Sequence, residues 1–167
     1  MKKRLISIFL VIALCLSLAG CSKEKKIEYC ELGIILTKDF DPYDSKGVFD
    51  VAYSDGNTIV GFIRYSFVDC EEYGFLSTYS PLKFAEAYIN KMGYGSEDGV
   101  KTQGDIPYFA YVSTPQDGDS RFYMHTFYCT PYAYFVITYI TSALREVEGR
   151  VEFLKYASTA YILSEHL

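Results

Sequence analysis

The sequence contains little of the chemistry on which most enzymes depend. It has no tryptophan and only two histidines, His125 and His166. None of the motifs GxSxG, HExxH or GxxxxGK[ST] occurs, which argues against α/β-hydrolases, zinc proteases and P-loop nucleotide-binding proteins. His125 lies four residues before Cys129 in a predicted strand, so about 13 Å separates the two and a base–nucleophile pair is excluded. We therefore predict no catalytic residues, and interpret His125 as a surface or structural side chain.

Cysteine is equally sparse. The chain has five cysteines, and no two of them have CxxC or CxxxC spacing, so a zinc site is not expected. The acidic clusters around Asp41 and Asp119 do not have the ligand spacing of a calcium loop and are interpreted as solvated turns. The sequence therefore predicts no metal site and no cofactor.

The N-terminus has the three parts of an export signal. Lys2, Lys3 and Arg4 precede an uncharged run, 5–20, that ends in small residues. This run is shorter than the roughly 20 apolar residues that span a bilayer. Leu18-Ala19-Gly20-Cys21 then resembles the lipobox of bacterial lipoproteins, in which the cysteine thiol is acylated and the chain is cleaved just before it. The resemblance implies lipidation at Cys21, a palmitate-type diacylglyceryl anchor, and an extracytoplasmic location on the cell membrane or outer membrane.

Charge indicates which partners to expect. The precursor carries a net charge of −5, and residues 1–20 include three basic and no acidic residues, so the remainder carries −8. Such an acidic protein is a poor candidate for binding nucleic acid. The expected contacts are the membrane, through the lipid on Cys21, and an unidentified protein of the cell envelope.

The sequence predicts three segments: a signal peptide over 1–20, the lipidated cysteine and a charged tether over 21–32, and a single domain over 33–167. Asp55-Gly56-Asn57 is typical of a tight turn and predicts a hairpin. Ser80 followed by Pro81 predicts a helix start, and Gly93 its end. A second helix is expected after Ser142, burying Val147, Val151, Leu154 and Tyr161. The predicted strands are 34–36, 48–53, 58–67, 107–114, 121–129 and 132–141, the last with both faces apolar and therefore central.

This order predicts an α+β domain in which an antiparallel sheet of about six strands packs against two amphipathic helices. Over residues 33–163 it resembles the PsbP-like fold. The matching pieces are Gly33-Ile34-Ile35-Leu36 entering Phe40, Ser80-Pro81 opening a helix, and a hairpin over 122–139 leading into Glu152-Phe153-Leu154-Lys155. The resemblance implies an accessory protein without a shared catalytic set.

Aromatic residues are abundant, with 17 tyrosines and 12 phenylalanines. Several tyrosines lie on three successive predicted strands, where outward-facing rings would form a binding patch. The members of this predicted aromatic patch are Tyr108, Tyr111, Tyr123, Tyr128, Tyr132, Tyr134 and Tyr139.

Three hypotheses about function follow. The favoured one is a lipid-anchored binding or accessory protein that contacts another protein in the envelope. The alternative is a lipoprotein that captures a small molecule or glycan between sheet and helix, which a tyrosine-lined pocket would support. The third is an enzyme with dispersed carboxylates facing each other in a cleft.

Replacing Cys21 tests the predicted anchor. Because only a cysteine thiol accepts the diacylglyceryl group, Cys21→Ala should abolish metabolic labelling with a radioactive fatty acid and either release the protein from the membrane fraction or cause it to be misprocessed. Cys15→Ala is the control and should leave labelling unchanged. Undiminished labelling of Cys21→Ala would contradict the lipobox interpretation.

Overall fold

Seven antiparallel strands form the main sheet, in the order β3-β4-β5-β9-β8-β7-β6. The computed structural model describes residues 24–94, 99–114 and 118–163. Strands are Asp41–Pro42 (β3), Val51–Ser54 (β4), Ile59–Ser66 (β5), Lys101–Gln103 (β6), Ile106–Ser113 (β7), Arg121–Cys129 (β8) and Ala133–Ser142 (β9). A second sheet, in the order β1-β2-β10, consists of Glu24–Tyr29 (β1), Leu32–Thr37 (β2) and Tyr161–Ile162 (β10). Two helices, Pro81–Met92 (α1) and Glu146–Ala157 (α2), complete the fold.

The fold class is α+β, as predicted, with antiparallel pairing throughout. β9 is the fourth of the seven strands, and nine of its ten residues are buried. Its two apolar faces therefore identified the centre of the sheet correctly. The strand count was wrong because β1 and β10 form a separate small sheet with β2, and because β3 and β6 are too short to show a sequence pattern.

The tether predicted over 21–32 is wrong from residue 24 onward. Glu24–Tyr29 pairs with β2 along its full length, and the side chain of Ile27 is buried. The strand escaped notice because it lies at the edge of its sheet and carries the charged side chains that edge strands favour. Cys21 and the rest of the predicted signal lie outside the described residues.

Helix α1 begins and ends where its capping residues predicted. The Ser80 hydroxyl accepts a hydrogen bond from the Lys83 N–H, and Gly93 ends the helix in the left-handed conformation at φ 69°. Its buried residues are Phe84, Ala85, Tyr88 and Ile89, whereas Met92, its last residue, is 42% exposed.

Helix α2 differs from its prediction. A single 3₁₀ turn, Ala143–Arg145, precedes it and rotates the helix, so that Gly149, Phe153, Tyr156 and Ala157 face the core. Val147 and Val151, predicted to be buried, are 78% and 69% exposed, and Tyr161 belongs to β10. The aromatic rings decide the orientation because Phe153 and Tyr156 bury more apolar area than the two valines.

The helices of the described residues do not have the properties of membrane-spanning helices. Within residues 24–94, 99–114 and 118–163, no helix combines the length and the apolar character that a bilayer requires.

Candidate functional site

The two faces of the main sheet are covered unequally. On one face, α2 and the small sheet pack over a core that includes Phe62, Phe135 and Tyr139. On the other face, α1 and the segment 67–80 cover mainly one end, where Phe84 stacks on Tyr134 with ring centroids 4.2 Å apart. At the opposite end of that second face, no helix of the described residues lies above the sheet. We call this region the open end of the sheet.

Small side chains lower the floor of the open end. The strand register places His125 opposite Thr138, and Thr138 opposite Gly61, in one row across three strands. The row beside it contains Tyr123, Ile140 and Ile59. Threonine and glycine fill less space than these neighbours, so a depression remains above them.

A loop closes one side of this depression. Residues 43–50 fold over β5, and the Phe49 ring lies directly on Gly61, where an added Cβ would be 2.3 Å from the ring. Only glycine permits this approach, since real Cβ atoms do not come so near. The Phe49 ring thereby forms a wall rather than filling the depression.

The result is a hollow with a volume of about 350 Å³. Strands β5, β7, β8 and β9 supply its floor, the loop 43–50 one side, and the C-terminal end of α1 the other. It is lined by Tyr43, Ser45, Val48, Phe49, Ile59, Ile63, Tyr88, Tyr94, Tyr111, Arg121, Tyr123, His125, Thr138 and Ile140. We call this site the tyrosine hollow.

Aromatic rings give the hollow a rigid border. Tyr111 and Tyr123, partners across β7 and β8, are stacked with centroids 5.1 Å apart and planes 6° apart. Tyr94 lies 5.0 Å from Tyr111 and 5.4 Å from His125, again at shallow angles. Rings held by several neighbours lose little freedom on binding, which favours recognition.

His125 is the polar group at the base of the hollow. Only 3% of it is exposed, and its Nδ1 lies 2.9 Å from the Thr138 hydroxyl. Among the described residues, its Nε2 has no hydrogen-bond partner. Burial lowers the pKa of this imidazole to about 4, because the charged form loses its water. His125 is therefore neutral at physiological pH and retains one unused hydrogen-bonding atom.

The phenols nearby are also neutral. Burial raises the pKa of Tyr88 well above its ordinary value of 10.0, with a smaller contribution from neighbouring Tyr65. Burial, followed by a hydrogen bond with Tyr94, does the same for Tyr111. The tyrosines here therefore provide apolar surface and hydroxyl groups, not charge.

Arg121 is the one charged residue among those lining the hollow. Its side chain is exposed, and no described acidic residue forms an ion pair with it. Beyond Arg121 the surface continues into a polar depression of about 600 Å³, to which Asp41 and Asp119 contribute carboxylates. Arg121 therefore lies between the uncharged residues of the hollow and the carboxylates of the polar depression.

The predicted aromatic patch is divided among several places. Tyr111 and Tyr123 line the tyrosine hollow. Tyr134 lies on the same face but is fully buried at the covered end, and its hydroxyl donates to the carbonyls of Leu76 and Tyr79. Tyr132 lies in the β8–β9 turn and is 47% exposed.

The other three tyrosines of the predicted patch point to the opposite face. Tyr108 and Tyr139 pack with the core beneath α2, and the Tyr128 hydroxyl donates to the Ala157 carbonyl at 3.1 Å. The seven tyrosines therefore do not form a single patch. Alternation along each strand, which places successive residues on opposite faces, would have separated the two groups.

Tyr43, Tyr88 and Tyr94 belong to the hollow and were not singled out in the sequence. They reach it from a loop and a helix end, and only tertiary packing brings them there. The same holds for His125, which was interpreted as a surface or structural side chain and is buried. No local sequence pattern distinguishes these two alternatives.

The described residues do not form the arrangement of a catalytic site or of a metal site. The Cys129 thiol donates to the Thr130 carbonyl, and the ring of Phe127 lies between it and His125 along β8. Cys30, Cys70 and Cys129 are free thiols. In the described parts of the chain, no three histidine, cysteine or acidic residues converge as metal ligands.

Comparisons with known proteins concern the backbone alone. No protein-family model matches the chain, and no curated protein matches it. The structure is similar to the solution structure of cyanobacterial PsbP (CyanoP) from Synechocystis sp. PCC 6803, with a TM-score of 0.47 and 12% sequence identity over 86% of this chain and 95% of that chain. A PsbP structure is thus among its structural neighbours. The fold class rests on the topology described above, and no residue role is transferred.

The burial of His125 predicts a pH dependence of stability. Its pKa is about 4 when folded and near 6.5 when unfolded, so the unfolded state binds the proton first as the pH falls. Stability contributed by the neutral imidazole is complete well above pH 6.5 and is lost progressively towards pH 4, by roughly 2–3 kcal/mol between pH 7.5 and 4.5.

Urea unfolding at a series of pH values measures this effect. His125→Gln removes the titrating group, so its stability should fall less than that of the wild type over the same range. His166 and the carboxylates titrate in both proteins and cancel in the comparison. Parallel curves for the two proteins would show that the imidazole is not buried.

Proposed function

We propose that this chain is a lipid-anchored, extracytoplasmic binding protein that captures a small molecule in the tyrosine hollow without transforming it. The observation that carries the proposal is the buried, unpartnered Nε2 of His125 at the base of an aromatic-lined opening. Leaving such an atom unpaired costs about 1–3 kcal/mol, and a bound ligand that supplies its partner would recover this.

The shape and lining of the hollow suit a small ligand. Ligand sites commonly occupy about 300–1,000 Å³, are mostly apolar and contain a few fixed polar groups. The hollow, at about 350 Å³, has apolar walls and the fixed pair His125–Thr138. This geometry favours the small-molecule hypothesis over a flat protein contact.

Binding without catalysis fits the same residues. The Thr138 hydroxyl and His125 are within hydrogen-bond distance, as a nucleophile and its base would be. An imidazole with a pKa near 4 is a weak base at neutral pH, however, and Thr138 is itself buried. The pair is better suited to orienting a ligand than to attacking one.

The proposed anchor would hold the domain close to the membrane. With lipid on Cys21 and β1 beginning at Glu24, two residues lie between them, and the three Cα–Cα steps span about 11 Å at most. A two-chain anchor gives stable retention. The protein would therefore act on ligands near the membrane surface rather than at a distance from it.

Filling the hollow tests the proposal. Ile140 lines the hollow, so Ile140→Phe should occupy it, whereas Ile162→Phe places the same change on the small sheet. Full-length wild type and both variants, in detergent micelles, are screened by saturation-transfer NMR against a library of small metabolites. We expect compounds that bind the wild type and Ile162→Phe but are lost, by about tenfold or more, from Ile140→Phe. Failure of every compound to distinguish the two variants would contradict the proposal.

Contact with an envelope protein is the second candidate, because α2 and the 3₁₀ turn before it expose an apolar stripe. Leu144, Val147 and Val151 are 97%, 78% and 69% exposed and follow one another at helical spacing. Isolated apolar residues on a surface are ordinary, but a continuous stripe indicates an interaction site.

Crosslinking in native membranes tests this second candidate. Val147→Asp combined with Val151→Asp should abolish a specific crosslinked partner that Val68→Asp, a change at another exposed valine, retains. An unchanged crosslinking pattern in the double variant would exclude the stripe as the contact.

A further inference from the structure

Strand β8 presents three different chemical groups in a line along the hollow. Arg121, Tyr123 and His125 are alternate residues and therefore share one face of the sheet, with their Cα atoms about 6.6 Å apart. All three line the tyrosine hollow. The strand thus offers a cation at the rim, a flat ring in the middle and a buried hydrogen-bonding atom at the base.

The cation is available to a ligand. Arg121 forms no ion pair with any other described residue, and no carboxylate is among the described residues that line the hollow. A guanidinium binds a carboxylate through two parallel hydrogen bonds, which fixes direction as well as charge. On the side of Arg121 that faces the hollow the guanidinium favours an anionic group over a cationic one, whereas Asp41 and Asp119 line the depression on its other side.

The middle position suits an aromatic ring. One side of the Tyr123 ring is stacked on Tyr111, and its cross-strand neighbour on the other side is Ile140. A flat apolar ring placed there would continue the stack and contact Ile140 and Ile59. A sugar ring would instead leave several hydroxyl groups against isoleucines, without partners.

The bottom of the tyrosine hollow requires a polar atom on the ligand. His125 Nδ1 is bound to the Thr138 hydroxyl, which can donate or accept, so Nε2 can take either role. A ligand hydroxyl satisfies both tautomers, because it too donates or accepts. With about 350 Å³ to fill, the hollow accommodates one such ring with short substituents.

Resting on the proposed function, we infer that the hollow selects a single-ring aromatic carboxylate with a hydroxyl on the opposite side of the ring. Its carboxylate pairs with Arg121, its ring lies against Tyr123, and its hydroxyl is hydrogen-bonded to Nε2 of His125. The polar depression beyond Arg121 leaves the carboxylate end partly in water.

Calorimetry of the full-length chain in detergent micelles tests this inference, with 4-hydroxyphenylacetate as the probe. Removing the charge (4-hydroxyphenylacetamide) or the hydroxyl (phenylacetate) should each weaken binding by about tenfold. The cation tyramine and the sugar acid glucuronate should bind still more weakly. Arg121→Gln should abolish the preference for the acid over its amide while leaving amide binding unchanged, and Arg150→Gln, on α2, should alter neither.

Three outcomes would overturn the inference. Tighter binding of tyramine or glucuronate than of the probe would do so, as would a preference for the acid that survives Arg121→Gln. Absence of any binding by these five compounds would also do so. In each case the proposed function is judged separately by the metabolite screen, in which ligands of another chemistry that depend on Ile140 would still support it.

Discussion

Burial of β9 on both faces is the constraint on which the rest of the structure depends. Each face of the main sheet must be covered, and the covers differ in size. On one face, α2 and the small sheet together suffice. On the other, α1 has 12 residues and is about 18 Å long, whereas the 10 residues of β9 extend about 33 Å. The helix cannot cover the whole strand in any orientation, so an open end is built into the architecture.

The open end would be a weakness if large apolar side chains lay there unprotected. Instead, the floor includes His125 and Thr138, the Phe49 ring covers Gly61, and five tyrosines contribute to the lining. His125 is buried in its neutral form with a hydrogen bond to only one of its two ring nitrogens, and this lowers the stability of the folded state. A protein selected only for stability would place an apolar side chain at that position, since an unpaired buried polar atom is unfavourable. The cost is recovered when a bound ligand supplies the missing partner of Nε2.

Features that are set by residues close together in the chain were predicted from the sequence, whereas features that are set by packing between distant residues were not. Ser80, Pro81 and Gly93 act within one helical turn, and they located α1 correctly. The apolar character of β9 on both faces identified the central strand. The orientation of α2 was wrong because it is decided by Phe153 and Tyr156 packing against distant strands. β1 was missed because an edge strand with one buried side chain, Ile27, has no apolar alternation to detect.

The site was predicted less completely than the fold, for the same reason. Tyr111 and Tyr123 were singled out because they lie on neighbouring strands. Their separation from Tyr108, Tyr128 and Tyr139 follows from strand alternation and was open to prediction. The participation of Tyr94 was not, since it depends on where the end of α1 meets the sheet. The role proposed for His125 rests on the lack of a hydrogen-bond partner for its Nε2 among the described residues, and this can be seen only in the folded structure.

Photocrosslinking in living cells tests the central claim, that the tyrosine hollow holds a small molecule, most directly. The photoreactive amino acid p-benzoylphenylalanine is introduced at Val48, which lines the hollow and is 67% exposed. In a control protein it is introduced at Val68, which is 88% exposed and is not among the lining residues. After irradiation, the intact mass of the purified protein is measured. Our account expects an adduct of small-molecule mass at position 48 and none at position 68. Equal labelling at both positions, or no small adduct at position 48, would contradict it.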